Sequence, residues 1–206
     1  MTRPVLFIGD SITDAGRRDD PEGLGAGWVQ LVHDALRERG DARPILNRGI
    51  SGDRAIDLAH RWQQDAVEPD PELLTVYVGI NDTWRRYDSG LPTSADEFES
   101  VYRSLLRQSL AASHVSLVLV EPFLTPVNAE QEEWFADLDP KRDAVDRLAR
   151  EFDAVFVPLQ AVLSVASRLH GAVAVADDGV HPTRLGAELI AEAWLAAVGV
   201  GPRSGD

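Results

Sequence analysis

Residues 7–14 read Phe7-Ile8-Gly9-Asp10-Ser11-Ile12-Thr13-Asp14, and this stretch decides how the rest of the chain is interpreted. The apolar run that begins at Val5 stops at Gly9, a pattern typical of a buried strand. Ser11 should therefore lie where the first strand passes into a helix, at the edge where open α/β sheets build their sites. Backbone amides and a helix N-terminus at that point suit a nucleophile whose reaction develops an oxyanion. The alternative is a serine that only caps the helix.

The composition is that of a globular protein with one sizeable core. Of 206 residues, 44% are hydrophobic and 26% are charged, which predicts a single domain over 1–198 followed by a loose tail over 199–206. The chain contains no apolar run long enough to span a membrane, and its start has no signal-peptide pattern. We therefore expect a cytoplasmic protein.

Charge and cysteine content exclude several classes of function. The net charge of −14 argues against a nucleic-acid or anionic-membrane partner and favours a neutral small-molecule substrate. The absence of cysteine excludes disulfides, thiolate catalysis and cysteine-based zinc sites. Asp177, Asp178 and His181 could together hold a cation, but no metal-site spacing accompanies them, so we expect neither metal nor cofactor.

Strand and helix patterns alternate along the chain. Five apolar segments read as strands: 5–8, 45–47, 73–78, 115–120 and 155–157. Amphipathic patterns predict helices over 28–39, around 56–62, after the capping box Ser94-Ala95-Asp96-Glu97, behind Asp139-Pro140, over 161–169 and over 183–198. The segment 123–138 is expected to be an irregular loop. This alternation predicts an α/β fold of three layers (α/β/α), flavodoxin-like, with a five-stranded parallel sheet in the order 2-1-3-4-5.

Three strand ends carry residues suited to one purpose. Ser11 follows the first strand, Gly52 the second and Asn81 the third, and the predicted order makes these ends neighbours. The backbone amides of Ser11 and Gly52 and the side-chain amide of Asn81 could form an oxyanion hole. Gly52 and Asn81 could instead be ordinary turn residues.

A candidate general base lies near the end of the chain, in Asp178-Gly179-Val180-His181-Pro182. A serine hydroxyl needs a histidine to take its proton, and that histidine needs an acceptor to orient it. Asp57 and His60 have the same spacing, but they fall in a predicted helix where a solvated i,i+3 pair explains them. His181 is therefore the predicted base and Asp178 its partner.

These four segments, taken in order, resemble the four sequence blocks of the SGNH (GDSL) hydrolases. They are Gly9-Asp10-Ser11-Ile12-Thr13, Ile50-Ser51-Gly52-Asp53, Gly79-Ile80-Asn81-Asp82 and Asp178-Gly179-Val180-His181-Pro182. The resemblance implies Ser11 as nucleophile, His181 as base oriented by Asp178, and an oxyanion hole of Ser11, Gly52 and Asn81. It also implies the three-layer α/β/α fold.

Within that family the chain looks most like intracellular acetylxylan esterases, through Asn47-Arg48-Gly49-Ile50-Ser51-Gly52 and Gly79-Ile80-Asn81-Asp82-Thr83-Trp84-Arg85-Arg86-Tyr87-Asp88. The resemblance implies removal of acetyl groups from xylo-oligosaccharides and a homo-oligomer. One departure is Asp177, which stands where that branch carries an aromatic residue before the catalytic aspartate. The candidate substrate-binding residues are Asp10, Asp14, Arg54 and Trp84.

Two alternative functions remain open on the sequence. One is a broad-specificity esterase, thioesterase or lysophospholipase that uses the same residues. The other is a catalytically silent carbohydrate-binding protein on the same fold. The chain has no evident lid or long apolar channel, which favours short acyl groups.

Overall fold

A five-stranded parallel sheet forms the centre of the computed structural model, which describes residues 2–199. The strands are β1 Val5–Gly9, β2 Ile45–Gly49, β3 Leu73–Tyr77, β4 Ser116–Val120 and β5 Val155–Val157. Their order is β2-β1-β3-β4-β5, so the predicted order and the predicted strands are confirmed. In the register of the sheet, Gly9 pairs with Gly49 on one side and with Tyr77 on the other. The ends of β1, β2 and β3 are therefore level, and the residues that follow them meet at one edge.

Helices cover both faces of this sheet. They are α1 Ser11–Asp14, α2 Trp28–Glu38, α3 Ala55–Trp62, α4 Ile80–Asp88, α5 Ala95–Ala112, α6 Ala129–Glu133, α7 Phe135–Glu151, α8 Leu159–His170, α9 Ala172–Val175 and α10 Arg184–Ala197. A π-helical turn, Gln63–Val67, continues α3.

Alternation along the strands separates two apolar cores. In β1, Val5 and Phe7 pack with residues of α2, α8 and α10 on one face. Leu6 and Ile8 pack with residues of α3, α5 and α7 on the other. A parallel strand that is buried on both faces explains why β1 is a continuous apolar run. The predicted three-layer α/β/α architecture is confirmed.

The segment 123–138 was expected to be a loop; this is confirmed for 123–128 and wrong for 129–138, which is largely helical. The Asn128 side chain caps α6 by accepting a hydrogen bond from the Gln131 amide at 3.0 Å. Helix α7 then begins at Phe135, so Asp139-Pro140 lies inside it rather than at its start. The reason is the buried residue Leu138, which extends the apolar face of α7 upstream of the proline.

The predicted domain boundaries lie close to the two ends of the chain. The single domain over 1–198 remains a prediction. The tail predicted for 199–206 lies outside the described residues except for Gly199. Within residues 2–199, none of the helices combines the length and the apolar character that crossing a membrane requires.

The capping box of α5 gives a test of the local structure. Ser94 Oγ accepts from the Glu97 amide at 3.2 Å, and Glu97 Oε2 accepts from the Ser94 amide at 2.9 Å. We expect Ser94→Ala to lower the free energy of unfolding by about 1 kcal/mol, because the amide of Glu97 loses its acceptor. Urea denaturation measures this, with Ser104→Ala on the exposed face of the same helix as the control. An equal loss in both variants would contradict the capping role.

Candidate active site

The end of β1 delivers Ser11 to the carboxyl edge of the sheet. Asp10 is the N-cap of α1, and its Oδ1 accepts from the Ile12 amide at 3.0 Å. Ser11 is the first residue of that helix and is half-buried. Gly9 is required here, since a Cβ atom would lie 2.1 Å from the carbonyl oxygen of Tyr77. The tight contact between β1 and β3 thus fixes the point at which the chain leaves the sheet, and with it the position of Ser11.

Ser11, His181 and Asp178 are joined by hydrogen bonds. Ser11 Oγ lies 2.9 Å from His181 Nε2, and His181 Nδ1 lies 2.6 Å from Asp178 Oδ2. Asp178 Oδ1 also accepts from the backbone amides of Val180 at 2.9 Å and of His181 at 2.7 Å. Partial burial alone would raise the pKa of Asp178, but these hydrogen bonds bring it below its usual value. Asp178 is therefore an ionised acceptor for the Nδ1 proton of His181.

The loop that carries Asp178 and His181 is held by hydrogen bonds and by the buried side chain of Val180. The side chains of Asp178 and His181 are both 43% exposed. Gln131 Nε2, from α6, donates to the Asp178 carbonyl at 2.7 Å, and the Thr125 amide donates to the Gly179 carbonyl at 2.9 Å. Both anchors come from the segment that sequence reasoning assigned to a loop. Neither was predicted, because their role is visible only in tertiary contacts.

Gly52 and Asn81 meet at the same edge. Gly52 has a φ of +88°, which a side chain would strain. Asn81 lies in the first turn of α4, is 3% exposed, and donates from Nδ2 to the Asp53 carbonyl at 3.1 Å. Arg85 Nη2 lies 3.5 Å from Asn81 Oδ1 on the opposite side of the amide. A primary amide has two N–H groups, and within residues 2–199 only one of them has a hydrogen-bond partner, so the other can donate to a ligand.

Three of the four candidate substrate-binding residues are engaged in the local structure. Asp10 is 1% exposed and lies beneath the crevice, where no substrate reaches it in this conformation. Asp14 is buried, and its Oδ2 accepts from the Ser51 hydroxyl at 2.9 Å. Arg54 Nε donates to Asp57 Oδ2 at 3.0 Å at the start of α3. Asp57 is thus bonded to Arg54, and His60 is exposed.

Trp84 is the candidate that borders His181, with ring centroids 5.8 Å apart. Its other neighbours are Trp134 at 5.6 Å and the guanidinium of Arg85 at 5.8 Å. Tyr87 stacks on Trp134 at 5.1 Å with an interplanar angle of 16°. We refer to Trp84, Tyr87 and Trp134 as the aromatic shelf. The i,i+3 spacing of Trp84 and Tyr87 could have predicted part of it, whereas Trp134 joins from another element.

A cavity of about 270 Å³ opens on the other side of the serine. Besides Ser11 and His181, its lining consists mainly of small or apolar residues: Ile12, Ala15, Ala26, Gly27, Pro182 and Ala187. Thr183 and Arg184 complete the lining, so the cavity is a partly open recess beside Ser11.

Two buried carboxyl groups lie under the site. Burial is the main cause that raises the pKa of Asp10 and of Asp82 to about 7. Asp82 Oδ2 accepts from the Ala55 amide at 3.1 Å, so it ties α4 to α3. Among residues 2–199, no three histidine, aspartate or glutamate side chains are arranged to hold a metal ion.

A parallel sheet with a serine, a histidine and an aspartate linked at its carboxyl edge is an arrangement of serine hydrolases. Residues 7–189 match the model of the GDSL-like lipase/acylhydrolase family. The chain belongs to this family and is a serine carboxylic ester hydrolase. The predicted family is thereby confirmed.

The chain is similar to several esterases along most of its length. An acetylxylan esterase from Geobacillus stearothermophilus is 35% identical over 210 residues, which cover 95% of this chain and 93% of that protein. A crystal structure of an acetylxylan esterase from the same organism superposes with a TM-score of 0.87 at 32% identity, over 97% of both chains. Catalytic mutants of that enzyme replace an aspartate, a serine or a histidine by alanine. An arylesterase from Vibrio mimicus is 28% identical over 180 residues, which cover 86% of this chain and 79% of that protein.

The buried carboxyl of Asp10 predicts a pH-dependent stability. Its pKa is about 7 in the folded chain against 3.8 for the free group, so between about pH 4 and pH 7 the folded state holds more protons than the unfolded state. This contribution lowers stability as the pH rises. Asp10→Asn keeps the acceptor for Ile12 but cannot ionise. We therefore expect its free energy of unfolding, relative to the parent protein, to rise from pH 5 to pH 8 in urea titrations.

The control for this prediction is Asp20→Asn. Three backbone hydrogen bonds, from Glu22, Gly25 and Leu24, lower the pKa of the half-buried Asp20. It is therefore ionised throughout the range from pH 5 to pH 8, and its variant should show no trend there. If the difference in free energy of unfolding between Asp10→Asn and the parent protein is constant over this range, the burial argument is contradicted.

Proposed function

We propose that this esterase removes acetyl or other short acyl groups from acetylated sugars such as xylo-oligosaccharides, through an acyl-enzyme formed on Ser11. The observation that carries the proposal is the position of His181. Its Nε2 lies 2.9 Å from Ser11 Oγ, and its ring lies 5.8 Å from Trp84. The reacting groups are thus next to a surface on which a sugar ring can stack.

In the proposed acylation step, His181 takes the hydroxyl proton as Ser11 Oγ bonds to the acetyl carbonyl carbon. Asp178 holds the imidazole in the tautomer that leaves Nε2 free and stabilises the imidazolium. The imidazolium then returns the proton to the sugar oxygen as its bond to the acyl carbon breaks. Water, deprotonated by His181, attacks the acetyl-enzyme, and acetate leaves as Ser11 is restored.

The oxyanion of each tetrahedral intermediate needs preorganised donors. We assign these to the backbone amides of Ser11 and Gly52 and to Nδ2 of Asn81. The positive φ of Gly52 and the two fixed contacts of the Asn81 amide support this assignment. Since these groups are oriented before substrate binds, little reorganisation is required during the reaction.

The preference for a short acyl group on a sugar rests on two features of the site. The cavity next to Ser11 has room for an acetyl group. The partly exposed rings of Trp84 and Tyr87 in the aromatic shelf suit the apolar face of a pyranose, whereas Trp134 is buried and supports them. The similarity to acetylxylan esterases points the same way. Asp177 is exposed in place of the aromatic residue of that branch, so the sugar contact is proposed on the α4 side, at Trp84. The homo-oligomer remains a prediction.

A second candidate is a broader esterase, thioesterase or lysophospholipase that uses the same residues. The similarity to an arylesterase favours it, as does the exposure of His181 and Asp178, which leaves the site open to bulky alcohols. The two candidates differ in the acyl length and in the alcohol that they accept.

The acyl-enzyme proposal predicts a sharp contrast between two histidines. We expect Ser11→Ala and His181→Ala to lower kcat for p-nitrophenyl acetate by about 10⁴-fold or more, since nucleophile and base act as one unit. His60→Ala should stay within twofold of the parent, because His60 is exposed on α3. Covalent labelling of Ser11 by a fluorophosphonate, followed by mass spectrometry, gives an independent readout. Retained turnover in Ser11→Ala would disprove the assignment.

The substrate proposal predicts a specific effect at Trp84. Loss of the ring in Trp84→Ala should raise KM for an acetylated xylo-oligosaccharide by about tenfold, which corresponds to about 1.4 kcal/mol. Trp84→Phe should retain most of the affinity, and KM for p-nitrophenyl acetate should change little in either variant.

The acyl-chain preference of the parent protein, together with the Trp84 variants, separates the two candidate functions. In the parent protein, kcat/KM should be at least tenfold higher for p-nitrophenyl acetate than for the octanoate ester. Equal or better use of octanoate, together with an unchanged KM for the acetylated sugar in Trp84→Ala, would favour the broader esterase.

A further inference from the structure

One arginine outside the predicted site is bonded to the ends of two strands. Arg61, on α3, donates from Nη1 to the Arg48 carbonyl at 2.8 Å and from Nη2 to the Gly9 carbonyl at 3.1 Å. It also donates to the carboxylates of Asp53 at 2.8 Å and Asp65 at 2.9 Å. The side chain is 14% exposed. A planar guanidinium can make these bonds at once, which a lysine ammonium cannot match.

These contacts join the strand of the serine to the loop of Gly52. Gly9 is the last residue of β1, two positions before Ser11, and its carbonyl also accepts from the Ile50 amide at 3.0 Å. Arg48 is near the end of β2, directly upstream of that loop. Arg61 thus fixes the loop that follows β2 relative to the start of α1.

The peptide around Gly52 is anchored on both sides. On one side Asp14 Oδ2 accepts from the amide and the hydroxyl of Ser51 at 3.2 and 2.9 Å. On the other side Arg61 holds the Asp53 side chain, and the Asp53 carbonyl accepts from Asn81 Nδ2. Asp53 therefore links Arg61 to Asn81 and directly follows Gly52.

We propose that Arg61 is a positioning residue that sets the oxyanion hole through Asp53. The inference rests on the proposed function, in which Gly52 and Asn81 are donors to the oxyanion. Arg61 acts by fixing the distance between the Gly52 amide and the Asn81 side chain. Within residues 2–199, none of its hydrogen bonds goes to Ser11, Asp178 or His181, so it takes no part in proton transfer.

Arg61 also offsets a negative charge next to the hole. Partial burial raises the pKa of Asp53, and the neighbouring Arg61 is the main group that opposes this rise. An unpaired carboxylate at this position would repel the oxyanion that develops beside it. Removing the guanidinium therefore weakens the oxyanion hole by releasing the loop and by leaving the Asp53 carboxyl without its main counter-charge.

The test compares kcat with KM in three variants, with p-nitrophenyl acetate as substrate. We expect Arg61→Gln to lower kcat by about 10–100-fold and to leave KM within about threefold of the parent. This loss in kcat is at most comparable to the loss caused by removing a donor of an oxyanion hole. Arg61→Lys should recover part of this loss, because it restores the charge without the planar contacts. Asp53→Ala should lower kcat by about tenfold. The double variant should lie within threefold of Arg61→Gln, since the Asp53 side chain acts on the loop through its contact with Arg61.

A transition-state analogue separates positioning from a general loss of structure. The inhibition constant of an aryl trifluoromethyl ketone, which forms a tetrahedral adduct with the serine, should rise by the same factor as kcat/KM falls. Arg103→Gln is the matched control, because Arg103 also bridges two carboxylates, Glu99 and Glu151, but lies on α5 away from the site. It should leave kcat and the inhibition constant within twofold of the parent.

The outcomes are distinguishable. If Arg61→Gln and Asp53→Ala both keep kcat within threefold of the parent, the positioning role is overturned, even when Ser11→Ala is inactive. An active Ser11→Ala variant would overturn the proposed function instead. If Arg61→Gln does not fold, the same kcat criterion applies to Asp53→Ala and Arg61→Lys. Losses in kcat that are fully additive in the double variant would also refute the inference.

Discussion

The close contact of β1 with β3 at Gly9 is the constraint on which the site depends. A side chain at Gly9 would collide with the Tyr77 carbonyl, so the strands approach this closely only with glycine there. The level register that follows brings the ends of β1, β2 and β3 to one edge. Every group of the candidate oxyanion hole is placed by one of these three ends. A shift of β1 by one residue would exchange its two faces and move Ser11 away from its partners.

The polar groups beneath this edge are costly to bury, and their positions suggest why they are retained. Asp82 secures α4 to α3, and the fully buried Lys141 secures α4 to α7 by donating to Thr83 Oγ1 and to Asp137 Oδ2. A buried ion pair is weak evidence for stability, because desolvation offsets its Coulomb attraction. Such groups do, however, give a helix one defined position. Here that helix is α4, which carries both Asn81 and Trp84.

Patterns local in sequence were sufficient for much of the fold and for the residues brought together at its edge. The apolar runs predicted the five strands, and their alternation with helices predicted the sheet order. Ser94 and Glu97 predicted the start of α5 because a capping box is a contact between residues three apart. Residues 129–138 were misread because their helices are set by packing, with Leu138 buried in the core beside β4. Asp10 could not be placed correctly from sequence, since a residue beside a serine can face either the crevice or the core.

The same distinction explains why positioning residues are harder to predict than reacting ones. Ser11, His181 and Asp178 have chemistry that limits the possible interpretations, whereas arginines and glutamines on helices usually indicate a solvated surface. Gln131 and Arg61 matter through bonds to backbone carbonyls at distant points of the chain. The side chains of His181 and Asp178 are each 43% exposed, so their loop is held by the buried Val180 between them and by Gln131, which donates to the Asp178 carbonyl. A site that is open to solvent therefore obtains its rigidity from hydrogen bonds and apolar contacts made behind it.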